Sequence, residues 1–288
     1  MYHPLINHNR HSQTVEHTQL NVDRIRHPPF LLIHGFGSAG KQWLQNMEPL
    51  SRYAPVYSLD LLGFGWSEKG ATTYNSQLWL EQIHDFWATF IRQPMVLVGH
   101  SLGALVASRV AVDRPDLVQR LVLVTVPNTR QDMIPAKWLQ TSVGAVERLF
   151  TSPLLVRLIF NVARQPRLIR SALQSIYQKR DRVSDALVAQ FVTPTSDRGA
   201  AQTLARLTQS ATQPNYSPSR HHLLHAIPQP TLVIWGLNDN IVPLQGCDAE
   251  IRANPQIRLV TIPNAGHCVY DECADEFNRA IAQWLDEG

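Results

Sequence analysis

Ser101 stands at the centre of Gly99-His100-Ser101-Leu102-Gly103, and Asp239 and His267 follow it much later in the chain. A serine hydroxyl is a weak nucleophile at neutral pH. It needs a base within hydrogen-bond reach, and the base needs a partner that fixes its tautomer. Serine, carboxylate and histidine in this chain order supply all three, and the chemistry they would perform is acyl transfer. Taken singly, each residue has an ordinary alternative. The pentapeptide could be a chance match in a glycine-bearing loop, Asp239 in Asn238-Asp239-Asn240 a turn former, and His267 a capping or surface histidine. What joins them is their position relative to the elements around them.

The apolar run Pro94–Val98 precedes the pentapeptide, and a helical pattern from Leu102 to about Arg114 follows it. A strand meeting a helix with no loop between them forces a tight turn with a strained residue at its apex, its side chain pointing outward. Glycines on either side are expected because a Cβ at 99 or 103 would collide with a neighbouring strand or helix. The helix N-terminus also aims free N–H groups at whatever the serine oxygen attacks. Asp239 lies four residues past Trp235, at the end of the apolar run Thr231–Trp235, and His267 lies five past Ile262, at the end of Arg258–Ile262. In doubly wound sheets such groups converge at the carboxyl ends of strands.

Further strands are expected at Phe30–Ile33, Pro55–Leu59 and Leu121–Val126, with a weaker edge strand over Gln13–Val22. Helical spacing marks Lys41–Ser51 (inner face Trp43, Leu44, Met47, Leu50) and Ser76–Ile91 (Leu78, Leu80, Ile83, Phe86, Trp87, Phe90). It also marks Pro243–Ala253 and Glu272–Leu285, the last with Phe277, Ile281, Trp284 and Leu285 inward. Strands alternating with helices at this rhythm imply an α/β fold, a mostly parallel doubly wound sheet with helices on both faces. The first strand opens into His34-Gly35-Phe36-Gly37, beside the strand expected to carry the nucleophile. The backbone N–H groups of Phe36 and Leu102 would form an oxyanion hole, and His34 would brace the loop.

From Pro127 to about His225 the tone is helical, punctuated by prolines and free of β-branched strand runs. The chain is therefore expected to divide into a core, residues 1–127 and 226–288, and an inserted helical segment, 128–225. That insertion holds 13 Lys and Arg against 5 Asp and Glu, so with a formal charge of +3 overall the rest of the chain is net acidic by 5. The overall charge is too small to argue for nucleic acid. Three cysteines, Cys247, Cys268 and Cys273, form no C-x-x-C pair and fit free thiols in a reducing compartment. The polar, histidine-rich Met1–Leu20 has no apolar signal core, and no stretch approaches the ~20 apolar residues of a membrane span. A cytoplasmic chain is the expectation. His3, His8, His11 and His17 are irregularly spaced and are expected to be a solvated tail rather than a metal site.

These motifs resemble the α/β-hydrolase superfamily with a helical cap: His34-Gly35-Phe36-Gly37, Asp60-Leu61-Leu62-Gly63-Phe64-Gly65-Trp66-Ser67, Gly99-His100-Ser101-Leu102-Gly103, Asp239 and Gly266-His267. The resemblance covers nearly the whole chain outside the insertion, which would be the cap. It implies Ser101 as nucleophile, His267 as general base, Asp239 as its orienting acid, Phe36 and Leu102 as oxyanion-hole donors, and no cofactor or metal. A carboxylate nucleophile, as in haloalkane dehalogenases and epoxide hydrolases, is disfavoured by Ser101.

Leu61–Lys69 and Gly266–Glu272 further resemble the branch of plants and cyanobacteria that includes pheophytinase and chlorophyll dephytylase, which cleave a phytyl ester. His100 departs from the asparagine that pheophytinase has before its nucleophile, and Ala104 from the glycine often found after the motif. The expected function is hydrolysis of a small-molecule carboxylic ester with a hydrophobic alcohol or acyl part. Carbon–carbon bond hydrolysis, lactonase or cofactor-free perhydrolase activity on the same triad, or a receptor-like ligand-binding role, are the alternatives. In Phe150–Arg170, Leu154, Leu155, Leu158, Ile159 and Phe160 are bracketed by Arg148, Arg157, Arg164, Arg167 and Arg170. This pattern is either a solvated helical surface or a site of peripheral contact with an anionic membrane.

Overall fold

Six short strands form one sheet: β1 (Phe30–Ile33), β2 (Val56–Leu59), β3 (Met95–His100), β4 (Val118–Val124), β5 (Thr231–Gly236) and β6 (Ile257–Ile262). Their order is β2-β1-β3-β4-β5-β6, and every neighbouring pair runs parallel. The computed structural model describes residues 27–133 and 153–287. The strand expected at Gln13–Val22 and the histidines of the N-terminal tail lie outside them.

The strands β1, β3 and β5 are buried along their whole length and read as almost wholly apolar runs because both faces of the sheet are covered there. Leu31, Ile33, Leu97, Leu121, Leu123 and Val233 enter the core on one face. Their neighbours Phe30, Leu32, Val96, Val98, Val122 and Ile234 enter the core on the other. The chain leaves β1 for β2 on one side of it, and β3 lies on the other side. Loops at the carboxyl ends of β1 and β3 therefore flank the point where the strand order reverses, which is where open α/β sheets form their crevice.

Several helices differ from their expected phase, and each difference has a local cause. Lys41–Ser51 is a 3₁₀ turn, Gly40–Trp43, followed by an α-helix, Leu44–Ser51. The tighter turn advances the chain by ~120° per residue rather than ~100°, so Trp43 and Leu50 stay inward while Leu44 points to solvent. Ser76–Ile91 is α-helical only to Phe86 and then widens into a π turn, Trp87–Ile91, closed by the Arg92 N–H on the Trp87 carbonyl at 2.9 Å. That wider turn puts Ile91 inward and leaves Phe90 exposed, while Trp79, outside the expected face, is fully buried. Gly246, at φ 84°, keeps the segment from Pro243 out of a helix, which begins only at Asp248 and ends at Ala253. The last stretch breaks at Cys273 into Val269–Glu272 and Ala274–Asp286, with Phe277, Ile281, Trp284 and Leu285 buried as expected. Cys247, Cys268 and Cys273 are free and buried.

Between β4 and β5 the described residues form helices and no strand: Arg130–Met133, Pro153–Ala163, Pro166–Ile176, Asp185–Val192, Ala200–Ala211 and Arg220–Ala226. Among the described residues here, prolines start helices rather than interrupt them, as at Pro153 and Pro166. Pro166 takes the first turn of its helix, where the missing N–H would have had no partner.

The helix Leu102–Asp113 lies against the sheet at a distance only glycine permits. A Cβ on Gly103 would sit 2.5 Å from the Ile33 carbonyl oxygen, and one on Gly99 would sit 2.3 Å from the Gly103 carbonyl oxygen. Both obstacles are backbone, so neither can swing away. Gly103→Ala is expected to destabilise the fold by about 1–3 kcal/mol as the helix is forced off β1. A urea midpoint equal to wild type would show that the helix had room to move.

Candidate active site

Ser101 follows β3 directly, with φ 52° and ψ −116°, and Leu102 begins the next helix without an intervening loop. Its N–H donates to the Val124 carbonyl at 2.9 Å, and its own carbonyl accepts from Ala104 at 2.9 Å and Leu105 at 3.1 Å. The residue is thus held by β4 on one side and by the first helical turn on the other. As the first residue of that helix, Leu102 has no helical carbonyl one turn back to receive its N–H.

Asp239 and His267 arrive from the ends of β5 and β6. His267 Nδ1–H donates to Asp239 Oδ2 at 2.8 Å, with the Asp239 side chain fully buried. The other carboxylate oxygen, Oδ1, accepts from the N–H groups of Ile241 and Val242, both at 2.8 Å. Pinning Nδ1 as the donor leaves Nε2 as the basic nitrogen of the ring, the form a general base requires.

His100 connects this pair to the elbow. Its Nε2–H donates to the His267 carbonyl at 3.0 Å, and its ring centroid lies 4.7 Å from that of His267 and 4.8 Å from that of Tyr270. In this tautomer Nδ1 is an acceptor, and it has no hydrogen-bond partner among the described residues. Burial, reinforced by the neighbouring His267, pushes the pKa of His100 well below the ordinary 6.5.

The loop after β1 meets the elbow from the other side. A Cβ on Gly35 would lie 2.8 Å from His100 Nδ1 and 3.3 Å from Ser101 Cβ, so the loop passes close to the serine at Gly35. Ser38 N–H closes the turn on the Gly35 carbonyl at 3.3 Å, with Gly37 at φ 71°. His34 is buried under this loop. Its Nδ1–H donates to the Gly35 carbonyl at 2.7 Å and its Nε2 accepts from the Leu61 N–H at 3.0 Å, so it braces the loop as a neutral ring. Burial lowers its pKa as well.

Asp60 braces the loop that leaves β2 in the same way. Its carboxylate receives the N–H of Gly40 at 2.6 Å and of Trp66 at 2.8 Å, folding the Asp60–Ser67 loop around it. Gln42 Oε1 accepts from both Ser38 Oγ and Tyr270 Oη, tying the turn over the serine to the histidine side of the site.

The structure therefore pairs His267 with Asp239 and sets His267 against His100, the residue before Ser101, while Phe36 lies in the loop after β1 and Leu102 follows the serine directly. Sequence reasoning assigns no role to a second set of residues. Glu272 is fully buried; its Oε1 accepts from the Gly266 N–H at 3.0 Å and its Oε2 from the Lys179 N–H at 2.9 Å. Asp271 accepts from Tyr177 Oη at 2.6 Å and from Gln45 Nε2 at 3.1 Å. Burial raises the pKa of both carboxyls. Two adjacent acids close after the candidate base are a visible signal, but Tyr177 and Lys179 lie some 90 residues away and no local pattern names them. Among the described residues no group of three or more His, Cys, Asp and Glu side chains could hold a metal ion.

A family model for the alpha/beta hydrolase fold matches residues 28–273, and the chain belongs to that family. It is 30% identical over 263 residues to the dihydrolipoyllysine-residue acetyltransferase component of an acetoin-cleaving system from Cupriavidus necator, covering 88% of this chain and 63% of that protein. Among solved structures, a meta-cleavage product hydrolase from Pseudomonas fluorescens superposes with a TM-score of 0.72 at 22% identity, covering 90% of this chain and 91% of its own. A membrane phospholipase A described as a bacterial virulence factor superposes with a TM-score of 0.69 at 26% identity, covering 91% of this chain and 79% of its own.

The two buried neutral histidines set an acid limit on stability. Below the ordinary value of 6.5 the unfolded chain binds protons that His34 and His100 refuse in the fold, so stability is full above that pH and falls as pH drops through the window beneath it. Each such group adds a slope of about 1.4 kcal/mol per pH unit. Gln at position 100 can keep the donor to the His267 carbonyl. His100→Gln is therefore expected to reduce the slope of unfolding free energy in the range just below pH 6.5 by up to one proton. An unchanged slope would mean that His100 titrates normally in the fold.

Proposed function

We infer that the protein is a serine hydrolase that cleaves a carboxylic ester with an apolar acyl or alcohol part through an acyl-enzyme. The observation that carries this reading is the joint placement of a serine at a positive-φ strand–helix elbow and a carboxylate-oriented histidine on the adjoining loops.

The geometry supports a two-step reaction. Ser101 Oγ attacks the ester carbonyl while His267 Nε2 takes its proton, and the N–H groups of Phe36 and Leu102 receive the developing oxyanion. The imidazolium, stabilised by Asp239, protonates the departing alkoxide and leaves the acyl group on Ser101. Water, deprotonated by the same nitrogen, then attacks the acyl carbonyl, and Ser101 recovers its proton as the acid is released. Neither step calls for a cofactor.

The apolar preference rests on the surroundings. Phe36, one of the proposed oxyanion donors, exposes half of its side chain and packs edge-on against Phe64 with ring centroids 5.3 Å apart. Among the structural neighbours, the one at 26% identity is a membrane phospholipase. We take the helices between Arg130 and Ala226 as the cap that admits such substrates. A phytyl ester belongs to the same chemical class and has a place in the substrate panel, as do acylglycerols, lactones and vinylogous diketones, which would read out carbon–carbon cleavage.

Ser101→Ala is expected to abolish covalent labelling by a fluorophosphonate probe and all ester turnover. Asp239→Asn, which leaves the histidine in the wrong tautomer, should lower kcat by about four orders of magnitude. Labelling that persists in Ser101→Ala would remove Ser101 as the nucleophile. A folded wild-type protein with no turnover across p-nitrophenyl esters of increasing chain length would favour a binding role.

A further inference from the structure

The helix Pro153–Ala163 turns an apolar stripe outward. Leu155, Leu158, Ile159 and Val162 recur at the spacing of one helical face, and the last three are each more than half exposed, while Val156 on the opposite side is buried. The helix packs along Ala200–Ala211, so its inner side is already occupied. Just beyond the next turn, Leu168 continues the outward apolar surface at the start of the helix Pro166–Ile176.

Along the stripe's own stretch of chain charge is of one sign, and the first acids after it are Asp181 and Asp185. From Pro153 to Arg180 the chain has Arg157, Arg164, Arg167, Arg170, Lys179 and Arg180 and no Asp or Glu. Arg157, Arg164, Arg167 and Arg180 are exposed. Arg170 is engaged by Asp185 and the Val183 carbonyl, and Lys179 is turned towards Glu272 and Cys273. The Arg148–Phe150 end of the pattern noted in the sequence lies outside the described residues.

We propose that this face docks on the surface of a bilayer containing anionic phospholipids, with Leu158, Ile159, Val162 and Leu168 entering the headgroup–acyl boundary and Arg164 and Arg167 on the phosphates. A helix of 11 residues is ~16 Å long, about half the hydrocarbon thickness, so it lies in the interface and does not span it. A second copy of the chain is a poor occupant of the same face. Two such stripes brought together would oppose arginine to arginine, with no acid between Pro153 and Arg180 to relieve them. Anionic headgroups supply the missing charge, and acyl chains supply the apolar partner.

The docking face and the candidate site share a segment. At the far end of Pro166–Ile176, the Ile176 carbonyl accepts from the His267 N–H at 3.4 Å. Docking would thus hold the proposed cap at the membrane while its other end rests on the histidine loop, so that an ester could be drawn from the bilayer. In this role the inference rests on the proposed hydrolysis. The docking itself does not, and the two fail separately.

The test is flotation of the full chain, wild type and Ser101→Ala, with vesicles of phosphatidylcholine alone and of phosphatidylcholine mixed equally with phosphatidylglycerol. Both proteins are expected to float with the mixed vesicles at least tenfold more than with the neutral ones, and added salt should weaken the difference. Each of Arg164→Gln and Arg167→Gln should weaken binding roughly fivefold. Ile159→Asp should remove most of it while leaving the circular dichroism spectrum unchanged, since Ile159 is a surface residue. Equal flotation with both vesicles, no flotation, or binding untouched by all three substitutions would overturn the proposal. So would a dimer in sedimentation that Ile159→Asp dissociates, because the face would then be a self-association surface. Flotation of a protein that hydrolyses nothing would sink the esterase reading and keep the docking. Hydrolysis of soluble esters without flotation would do the reverse.

Discussion

The structure depends on one constraint, the direct passage of β3 into a helix at Ser101. With no loop to absorb the change of direction, the apex residue takes φ 52°, a conformation that costs a side-chain-bearing residue on the order of 1–3 kcal/mol. The surrounding contacts over-determine it. Gly99 lets the first helical turn close over the strand, Gly103 lets that turn rest on the Ile33 carbonyl, and β4 takes the Ser101 N–H. Two further positive-φ residues, Thr125 and Asn264, follow the ends of β4 and β6. Strain is therefore concentrated along the sheet edge from which the site loops depart, and the buried apolar strands behind it supply the burial that sustains it.

Around that edge, polar side chains do what a hydrophobic core cannot, which is to fix loops relative to one another. His34 joins the loop after β1 to Leu61, Asp60 gathers Gly40 and Trp66, and Gln42 links Ser38 with Tyr270. Each of these groups is buried or partly buried with directed partners, so a loop that shifted would leave a polar atom unpaired at a cost of about 1–3 kcal/mol. A site assembled from loops can in this way be as well positioned as one built on strands.

What can be read from the sequence follows the physics of each signal. Doubly covered strands produce continuous apolar runs, so Phe30–Ile33 is legible to the residue, and the others are displaced by no more than three residues at either end. The pairing of Asp239 with His267 can be anticipated because the sheet topology restricts where groups after β5 and β6 converge. Helix faces are less legible wherever the winding changes. Leu44 and Phe90 read as inward when a constant period is applied across a 3₁₀ turn and a π turn. The bonds of Glu272, Asp271 and His100 join residues far apart in the chain, and no spacing rule reports them.

Bonds of this kind also tie a helical segment to the loop that carries the candidate base. Gly266 has no side chain because a Cβ would meet the Ile176 carbonyl oxygen at 2.8 Å and the Gln178 nitrogen at 2.9 Å, so the segment after Pro166–Ile176 lies directly on the loop that carries His267. Glu272 then bonds one oxygen to each side of that contact, and burial raises its pKa because the charged form gives up solvation for only a few directed N–H groups. Displacing the segment would take one of those N–H groups from a fully buried carboxylate. The His267 loop would have to rearrange or the carboxyl take up a proton. Glu272 thus joins the segment after Pro166–Ile176 to the loop that carries His267.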